Sequence, residues 1–251
     1  MPAMIYSTDP SDWRDLQDKV ATILRVCGCD ADVERTIETV RGKVDVDVHA
    51  VDLSSSPRLT YLCECKYWST AVPKGVVHGF RTVVSDYGAH VGFLVSRNGF
   101  QSGAYEAAHN SNVRLLNWFE FQEVFVDHWK EGRYAALRQV FEDLFEYYDI
   151  LSAPIGNAVS GNSDRINEYG ALLKRFSPQA EANPWNRMIE PRRFPPELPH
   201  KAVEIDADGT ETELIFSDYS TLFDWHEQRT RLGLSEFGEF VQRYRTGPVG
   251  A

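Results

Sequence analysis

The chain lacks any apolar run long enough to cross a bilayer, and its N-terminus lacks the basic and apolar stretch of a secretion signal. We therefore expect a cytoplasmic protein with no membrane partner. Cysteine is also scarce, with 4 residues among 251, in the pairs Cys27/Cys29 and Cys63/Cys65. A chain of this size without a secretion signal is not expected to form a disulfide framework. Because C-x-C is a poorer zinc spacing than C-x-x-C, buried thiols are the favoured interpretation.

Basic residues are outnumbered, since 26 Lys and Arg against 37 Asp and Glu give a net charge of −11. The chain has no Lys/Arg tail or stripe of the kind that binds DNA strongly without sequence preference. Any nucleic-acid surface must therefore be local, or supplied by a partner. What is abundant is apolar: 43% hydrophobic and 12% aromatic residues predict a folded globular protein. The length allows one large domain or two small ones.

Residues 43–66 carry the most informative pattern. Along 43–50 the chain alternates strictly, which predicts that three valines share one face of a strand and three polar residues the other. Those polar residues are Asp45, Asp47 and His49. After a turn at 52–58, Glu64 and Lys66 share a face of the next strand, opposite Cys63 and Cys65. A hairpin would bring an Asp, a Glu and a Lys together, and such a group can hold a divalent cation and position a water.

The order of predicted elements over residues 1–130 is α-β-β-β-α-β-α-β-α, which indicates a mixed sheet with helices on its faces. We expect Asp9 to cap the first helix. The predicted helices span 10–27, 73–88, 102–109 and 118–129. The predicted strands span 33–40, 43–51, 59–67, 90–95 and 113–116.

Residues 131–251 are expected to form a mainly helical accessory region with a short hairpin. Helices are predicted over 135–151, 165–176 and 221–244, the last broken near Gly233. A loop is predicted at 154–163, a proline-rich connector at 177–200, and hairpin strands at 201–205 and 211–216. The many aromatics at helical spacing must be buried, so this half is a candidate surface for a homodimer or a protein partner.

Residues 10–125 resemble the PD-(D/E)xK nuclease superfamily, specifically its Mrr-like restriction endonuclease branch. That pattern places an Asp at the end of one strand and E-x-K on the next, with a helix before and after. Here the matching residues are Asp47, Glu64 and Lys66, and the segment FLVSRNGFQSGAYEAA, Phe93 to Ala108, is similar to the strand, loop and helix that follow. The resemblance implies an α/β, restriction-endonuclease-like fold. It also implies cleavage of DNA with Mg²⁺, for which Mn²⁺ can substitute, in restriction or phage defence.

The resemblance also implies a role for each site residue. Asp47 and Glu64 would ligate the metal together with a backbone carbonyl near Cys65, and Lys66 would orient or activate the attacking water. Val46 stands where the motif has proline.

Three further residues are possible accessory members of the site. Some relatives add an acidic residue from the first helix, and here Gln17 is the neighbour able to reach the sheet edge. Glu34 is another candidate. Asp45 could be the metal ligand in place of Asp47, because the alternation puts both on one face.

Candidate DNA contacts lie just after the E-x-K strand. Tyr67 and Trp68 could stack on a base or sugar, or could pack the end of the sheet. Lys74 and Arg81 share one flank of the following helix and could touch phosphates, or form an ordinary solvated face. The alternative function is a nuclease-like fold acting as a non-catalytic binding or regulatory module in a larger complex. The acidic charge favours that alternative, and the intact Asp/Glu/Lys set disfavours it.

Overall fold

A mixed sheet with helices on its faces forms from the first half of the chain, which confirms the predicted fold class. The structure is a computed structural model that describes residues 4–182 and 194–245. The chain splits into two units, Met1–Gly132 and Arg133–Ala251. The elements of the first half are α1 (Trp13–Val26), β1 (Cys29–Thr39), β2 (Gly42–Asp52), β3 (Leu59–Lys66), α2 (Lys74–Tyr87), β4 (Val91–Ser96), α3 (Ser102–Ala108), β5 (Val113–Asn117) and α4 (Trp118–Phe145).

The strands of this sheet follow their order in the chain, β1-β2-β3-β4-β5. The first three are antiparallel, and β3, β4 and β5 are parallel. Parallel neighbours need crossover connections, which α2 and α3 provide. In the β3–β4 register Lys66 pairs with Ser96, so both strands end at the same edge of the sheet. Loops at the carboxyl ends of parallel strands are where open α/β sheets bind ligands.

The two faces of the sheet are covered by different helices. Phe93 and Leu94 are neighbours in β4 and therefore point to opposite faces. Leu94 belongs to a buried cluster that includes side chains of α2 and α3. The ring of Phe93 lies 5.5 Å from that of Phe125 in α4, and the thiol of Cys27, at the end of α1, contacts the Phe125 carbonyl at 3.8 Å. Helices α1 and α4 thus cover one face, and α2 and α3 cover the other.

The β1–β2 ladder is interrupted beside the predicted site, and the interruption corrects one prediction. Pairing runs from Val33↔Val48 to Arg35↔Val46 and skips the intervening position of Glu34 and Asp47. Glu34 has φ 52°, in the left-handed region that non-glycine residues rarely adopt. Pairing of β2 is interrupted at the same point, and the contacts of its side chains show that the predicted single polar face of β2 is wrong.

The side-chain contacts of β2 show that Asp47 and His49 do not share a face. Asp47 is hydrogen-bonded to Gln17 of α1, whereas His49 lies 2.9 Å from the hydroxyl of Tyr87 at the end of α2. The two polar residues therefore face opposite sides of the sheet. The valines divide in the same way, because Val46 packs in the cluster of α2 and α3.

The second half is mainly helical, with a short hairpin. Its elements are a 3₁₀ turn (Glu146–Tyr148), α5 (Ala153–Val159), α6 (Ser163–Phe176), a second 3₁₀ turn (Ser177–Ala182), β6 (His200–Ile205), β7 (Glu211–Phe216) and α7 (Tyr219–Arg245). Phe176, Phe237 and Phe240 are buried in a cluster where these helices meet. The predicted connector 177–200 falls partly outside the described residues. Among those described, no helix is long and apolar enough to span a membrane.

Several predicted boundaries were wrong, for reasons of tertiary contact. The helices predicted at 118–129 and 135–151 are one helix, α4, which continues through Gly132. A Cβ at Gly132 would lie 1.9 Å from the Val26 carbonyl oxygen, so glycine here permits close approach and does not end the helix. Helix α7 likewise runs unbroken through Gly233, where a Cβ would meet Leu144 at 3.0 Å.

Two further corrections concern helix starts. The segment predicted as a loop at 154–163 contains α5, which has Pro154 in its first turn. Asp12, not Asp9, caps α1, and its carboxylate accepts from the backbone N–H of Asp15 at 2.9 Å.

Candidate active site

Asp47 lies where β2 and β3 separate. Their last pair is Val48↔Cys63, and beyond it the backbone N–H of Cys65 donates to Asp47 Oδ2 at 2.6 Å. The side-chain amide of Gln17 donates to Asp47 Oδ1 at 2.8 Å. Both oxygens are thus oriented from two sides, while a carboxylate with about four lone-pair sites keeps acceptor capacity for a further partner.

Glu64 and Lys66 form an ion pair on β3, on either side of Cys65, whose backbone N–H bonds Asp47. They are two residues apart on one strand and share a face, as the sequence pattern predicts. Their side chains are only 23% and 18% exposed. This ion pair is therefore far less open to water than a typical surface pair.

The surroundings of Glu64 disfavour its ionised form. Burial, and then the charge of Asp47, raise the pKa of Glu64 above its ordinary value, and the ion pair with Lys66 only partly opposes that rise. A cation held between two carboxylates would relieve both effects.

The residues present fit a divalent metal ion with hard oxygen ligands. Asp47 and Glu64 supply carboxylates, and the Cys65 carbonyl is a third oxygen on the same strand. Within the described parts of the chain, no group of three or more His, Cys, Asp or Glu residues is placed to hold a metal. A two-carboxylate set completed by backbone and water suits Mg²⁺, which keeps several waters. The cysteine side chains are free thiols, and those of Cys63 and Cys65 are buried.

Asp45 and Glu34 are placed less centrally. Asp45 is exposed, accepts from the Thr36 hydroxyl at 2.6 Å, and lines with Glu64 a cavity of about 240 Å³ beside α2. Glu34 is exposed at the skipped ladder position, and no described residue joins it to the cluster by a hydrogen bond or ion pair. The bond from Cys65 singles out Asp47, not Asp45, as the carboxylate joined to the E-x-K strand.

Tyr67 joins two segments of the chain next to the site. Its hydroxyl donates to the carbonyls of Pro10 and Ser11 at 3.0 and 2.9 Å, which ties the loop after β3 to the segment before α1. The guanidinium of Arg97 lies 4.5 Å from the centre of its ring. The ring therefore packs the end of the sheet and is not open for a base.

The other candidate DNA contacts differ in accessibility. Trp68 is 41% exposed, with the Lys66 ammonium 5.6 Å from its ring centre, and Lys74 is exposed at the start of α2. Arg81 instead donates to the Ala107 carbonyl at 2.6 Å and joins α2 to α3. Trp68 and Lys74 are therefore available to a ligand, whereas Arg81 already serves the fold.

Arg97 is a residue near the site that sequence reasoning missed. Its backbone N–H donates to the Lys66 carbonyl at 3.0 Å, so the loop after β4 is bonded to the end of the E-x-K strand. The only available signal was its position, immediately after a short apolar strand of a parallel sheet.

Comparison with known proteins identifies the class of this domain. Residues 8–125 match the Mrr_cat family model, described as a restriction endonuclease. The predicted place of this region in the Mrr-like branch is confirmed, and with it the restriction-endonuclease-like fold and a nuclease-type domain. A solved structure titled "Crystal Structure of Protein of Unknown Function AF1548" aligns with 16% identity and a TM-score of 0.39, covering 65% of this chain and 96% of that chain. No curated protein matches the chain.

Proposed function

We propose that this chain is a metal-dependent endonuclease that hydrolyses phosphodiester bonds of DNA, with Mg²⁺ as cofactor and Mn²⁺ as a substitute. The proposal is supported above all by the position of Asp47. Its carboxylate is bonded by Gln17 and by the backbone N–H of Cys65, which lies between Glu64 and Lys66 of the ion pair. A role in restriction or phage defence, in the cytoplasm, is the part of the proposal that rests on family resemblance alone.

The carboxylates of Asp47 and Glu64 and the carbonyl of Cys65 would hold the ion. When bound, it supplies Lewis-acid polarisation and positive charge at the scissile phosphate. The protein contributes orientation: Gln17 and the Cys65 amide hold the Asp47 carboxylate in one position. Because the pKa of Glu64 is raised, its carboxyl group needs a higher pH than usual to ionise, and only the ionised carboxylate would bind the metal.

Lys66 is proposed to act on water and on phosphate oxygens. An ammonium has three N–H donors, so its ion pair with Glu64 leaves donors free. In the hydrolysis a water oxygen bonds to phosphorus as one ester P–O bond breaks and the leaving oxygen gains a proton. The Lys66 charge offsets the negative charge that builds on the phosphoryl oxygens.

The deciding experiment is cleavage of supercoiled plasmid with Mg²⁺, with Mn²⁺ or with a chelator. The parent should cut only with metal, and Lys66→Ala should lose cleavage while keeping a cooperative melting transition, which shows that it still folds. Lys43→Ala is the matched control, because it removes the same charge from a side chain that is 72% exposed in the β1–β2 turn region. Cutting by Lys66→Ala at the parent rate would refute the assignment.

The second candidate is a nuclease-like module that binds partners without catalysis, with residues 131–251 as the contact region for a protein partner or a second copy. The net charge of −11 favours it, because DNA repels an acidic chain. A titration with Mn²⁺ separates the two functions: heat of binding that Asp47→Asn abolishes supports the nuclease, and its absence in the parent supports the module.

A further inference from the structure

Arg97 is an exposed cation in the loop after β4, next in space to the end of the E-x-K strand. We propose that Arg97 binds a backbone phosphate of the DNA substrate and that Tyr67 is the positioning residue that orients its guanidinium. The inference rests on the proposed nuclease function and adds the contact that lets an acidic protein hold DNA.

The guanidinium is pre-oriented by a rigid platform. It lies 4.5 Å from the ring centre of Tyr67, within the range of a cation–π contact. Tyr67 is fixed in turn, because its hydroxyl bonds two backbone carbonyls. A cation–π contact does not use the N–H donors of the guanidinium in conventional hydrogen bonds, and two of those donors match two phosphate oxygens.

The loop that carries Arg97 is also anchored. Besides the bond from Arg97 to Lys66, the side chain of Asn98 bonds the Ser69 carbonyl, and the Gly99 carbonyl accepts from Val72 at 3.0 Å. The loops after β3 and β4 therefore form one bonded unit. A phosphate on Arg97 would sit at the same sheet edge as Lys66.

The charge of Arg97 is not neutralised within the described parts of the chain, where no carboxylate pairs with it. Some cations of the same unit pair with carboxylates, as Lys19 does with Asp15 at 2.8 Å and Arg41 with Asp86 at 3.0 Å. Others among the described residues, such as Lys74, do not, so Arg97 is set apart by its anchored position beside Lys66 and its contact with the Tyr67 ring. In a chain of net charge −11, an oriented guanidinium without an acidic partner is suited to an anion from outside.

The test is fluorescence anisotropy of a labelled DNA duplex, titrated with the full chain at several salt concentrations in Ca²⁺ and in chelator. Arg97→Ala should weaken binding about tenfold and lower the slope of log Kd against log salt by about one. Arg97→Lys should recover part of the affinity, because it keeps the charge without the planar fork.

The matched control is Arg58→Ala, which removes the same charge from an exposed residue just before β3. That position lies at the far end of the eight-residue strand, so binding should be unchanged. Tyr67→Leu should weaken binding more than Tyr67→Phe, which keeps the ring and loses only the hydroxyl bonds, and this difference should vanish in the Arg97→Ala background. Melting temperatures identify any variant that fails to fold.

Equal affinity and equal salt slope for the parent and Arg97→Ala would overturn the inference, as would a parent that does not bind the duplex. Plasmid cleavage by the same preparations separates this failure from failure of the proposed function. One outcome refutes only the Arg97 inference: the parent cuts, Lys66→Ala does not cut, and Arg97→Ala binds DNA as tightly as the parent. If DNA binding depends on Arg97 but Lys66→Ala still cuts, only the catalytic role of Lys66 is refuted.

Discussion

The hydrogen bond from Gln17 to Asp47 should be energetically important, and it can be measured. Gln17 is 5% exposed, and its amide lies 2.8 Å from a carboxylate oxygen. Gln17→Met keeps the length of the side chain and removes the donor. Hydrogen bonds to charged groups contribute about 1.5–3 kcal/mol, so the variant should lose stability in that range. Cleavage should fall as well, because a less firmly held Asp47 binds the metal less well.

A double-mutant cycle isolates this bond from the other effects of the substitution. Urea unfolding at neutral pH gives the stabilities of the parent, Gln17→Met, Asp47→Ala and the double variant. If the bond is as the structure has it, the coupling energy should be about 1.5–3 kcal/mol. A coupling energy below about 0.5 kcal/mol would show that Gln17 does not hold Asp47, and the reasoning about site geometry would be refuted.

Three further predictions address the metal, the packing and the pH dependence of the protein. Mg²⁺ at about 100 times its Kd should stabilise the parent by about 2.7 kcal/mol and Asp47→Asn far less; equal shifts in melting temperature would contradict the metal site. Gly132→Ala should lower the free energy of unfolding in urea by about 3 kcal/mol or more, since its Cβ would lie 1.9 Å from the Val26 carbonyl oxygen. Gly79→Ala, whose Cβ would have nothing within 4 Å, should raise the free energy of unfolding by about 0.5–1 kcal/mol. Burial, and then His200, lower the pKa of His226 to about 3 in the folded protein. Below about pH 6.5, the ordinary pKa of histidine, the unfolded state therefore binds a proton that the folded state does not, and the free energy of unfolding falls as the pH drops. The loss at pH 5 should be about 2 kcal/mol and should be missing from His226→Phe; the same acid sensitivity in that variant would rule out His226 as its source.

The sequence by itself determined the parts of the fold that depend on local periodicity. The alternation over 59–66 places Glu64 and Lys66 on one face of β3, and the structure joins them in an ion pair. The hydrophobic spacing of α1 and α2, and the short apolar strand β4, predicted their positions within a few residues. These features follow from the geometry of a single helix or strand, so the local pattern was enough to predict them.

Patterns of glycine were misleading because their cause lies elsewhere in the chain. Gly132 falls in the gap predicted between two helices, and a helix break was predicted near Gly233, because glycine is common at helix ends. Both instead lie inside helices: at Gly132 the Val26 carbonyl leaves no room for a Cβ, and at Gly233 the side chains of Leu144 and Phe176 pack at 3.0 and 3.2 Å from where a Cβ would lie. A single sequence does not distinguish a glycine that ends a helix from one that makes room for a neighbour.

The orientation of the site was decided only by tertiary structure. Local alternation put Asp47 and His49 on one face, but the structure places Asp47 against α1 and His49 against the end of α2, on opposite faces. The contact of Gln17 with Asp47 spans 30 positions in the chain, and that of Arg97 with Tyr67 joins two separate loops. Such contacts depend on how helices and loops pack on the sheet, and strand or helix periodicity holds no information about that packing.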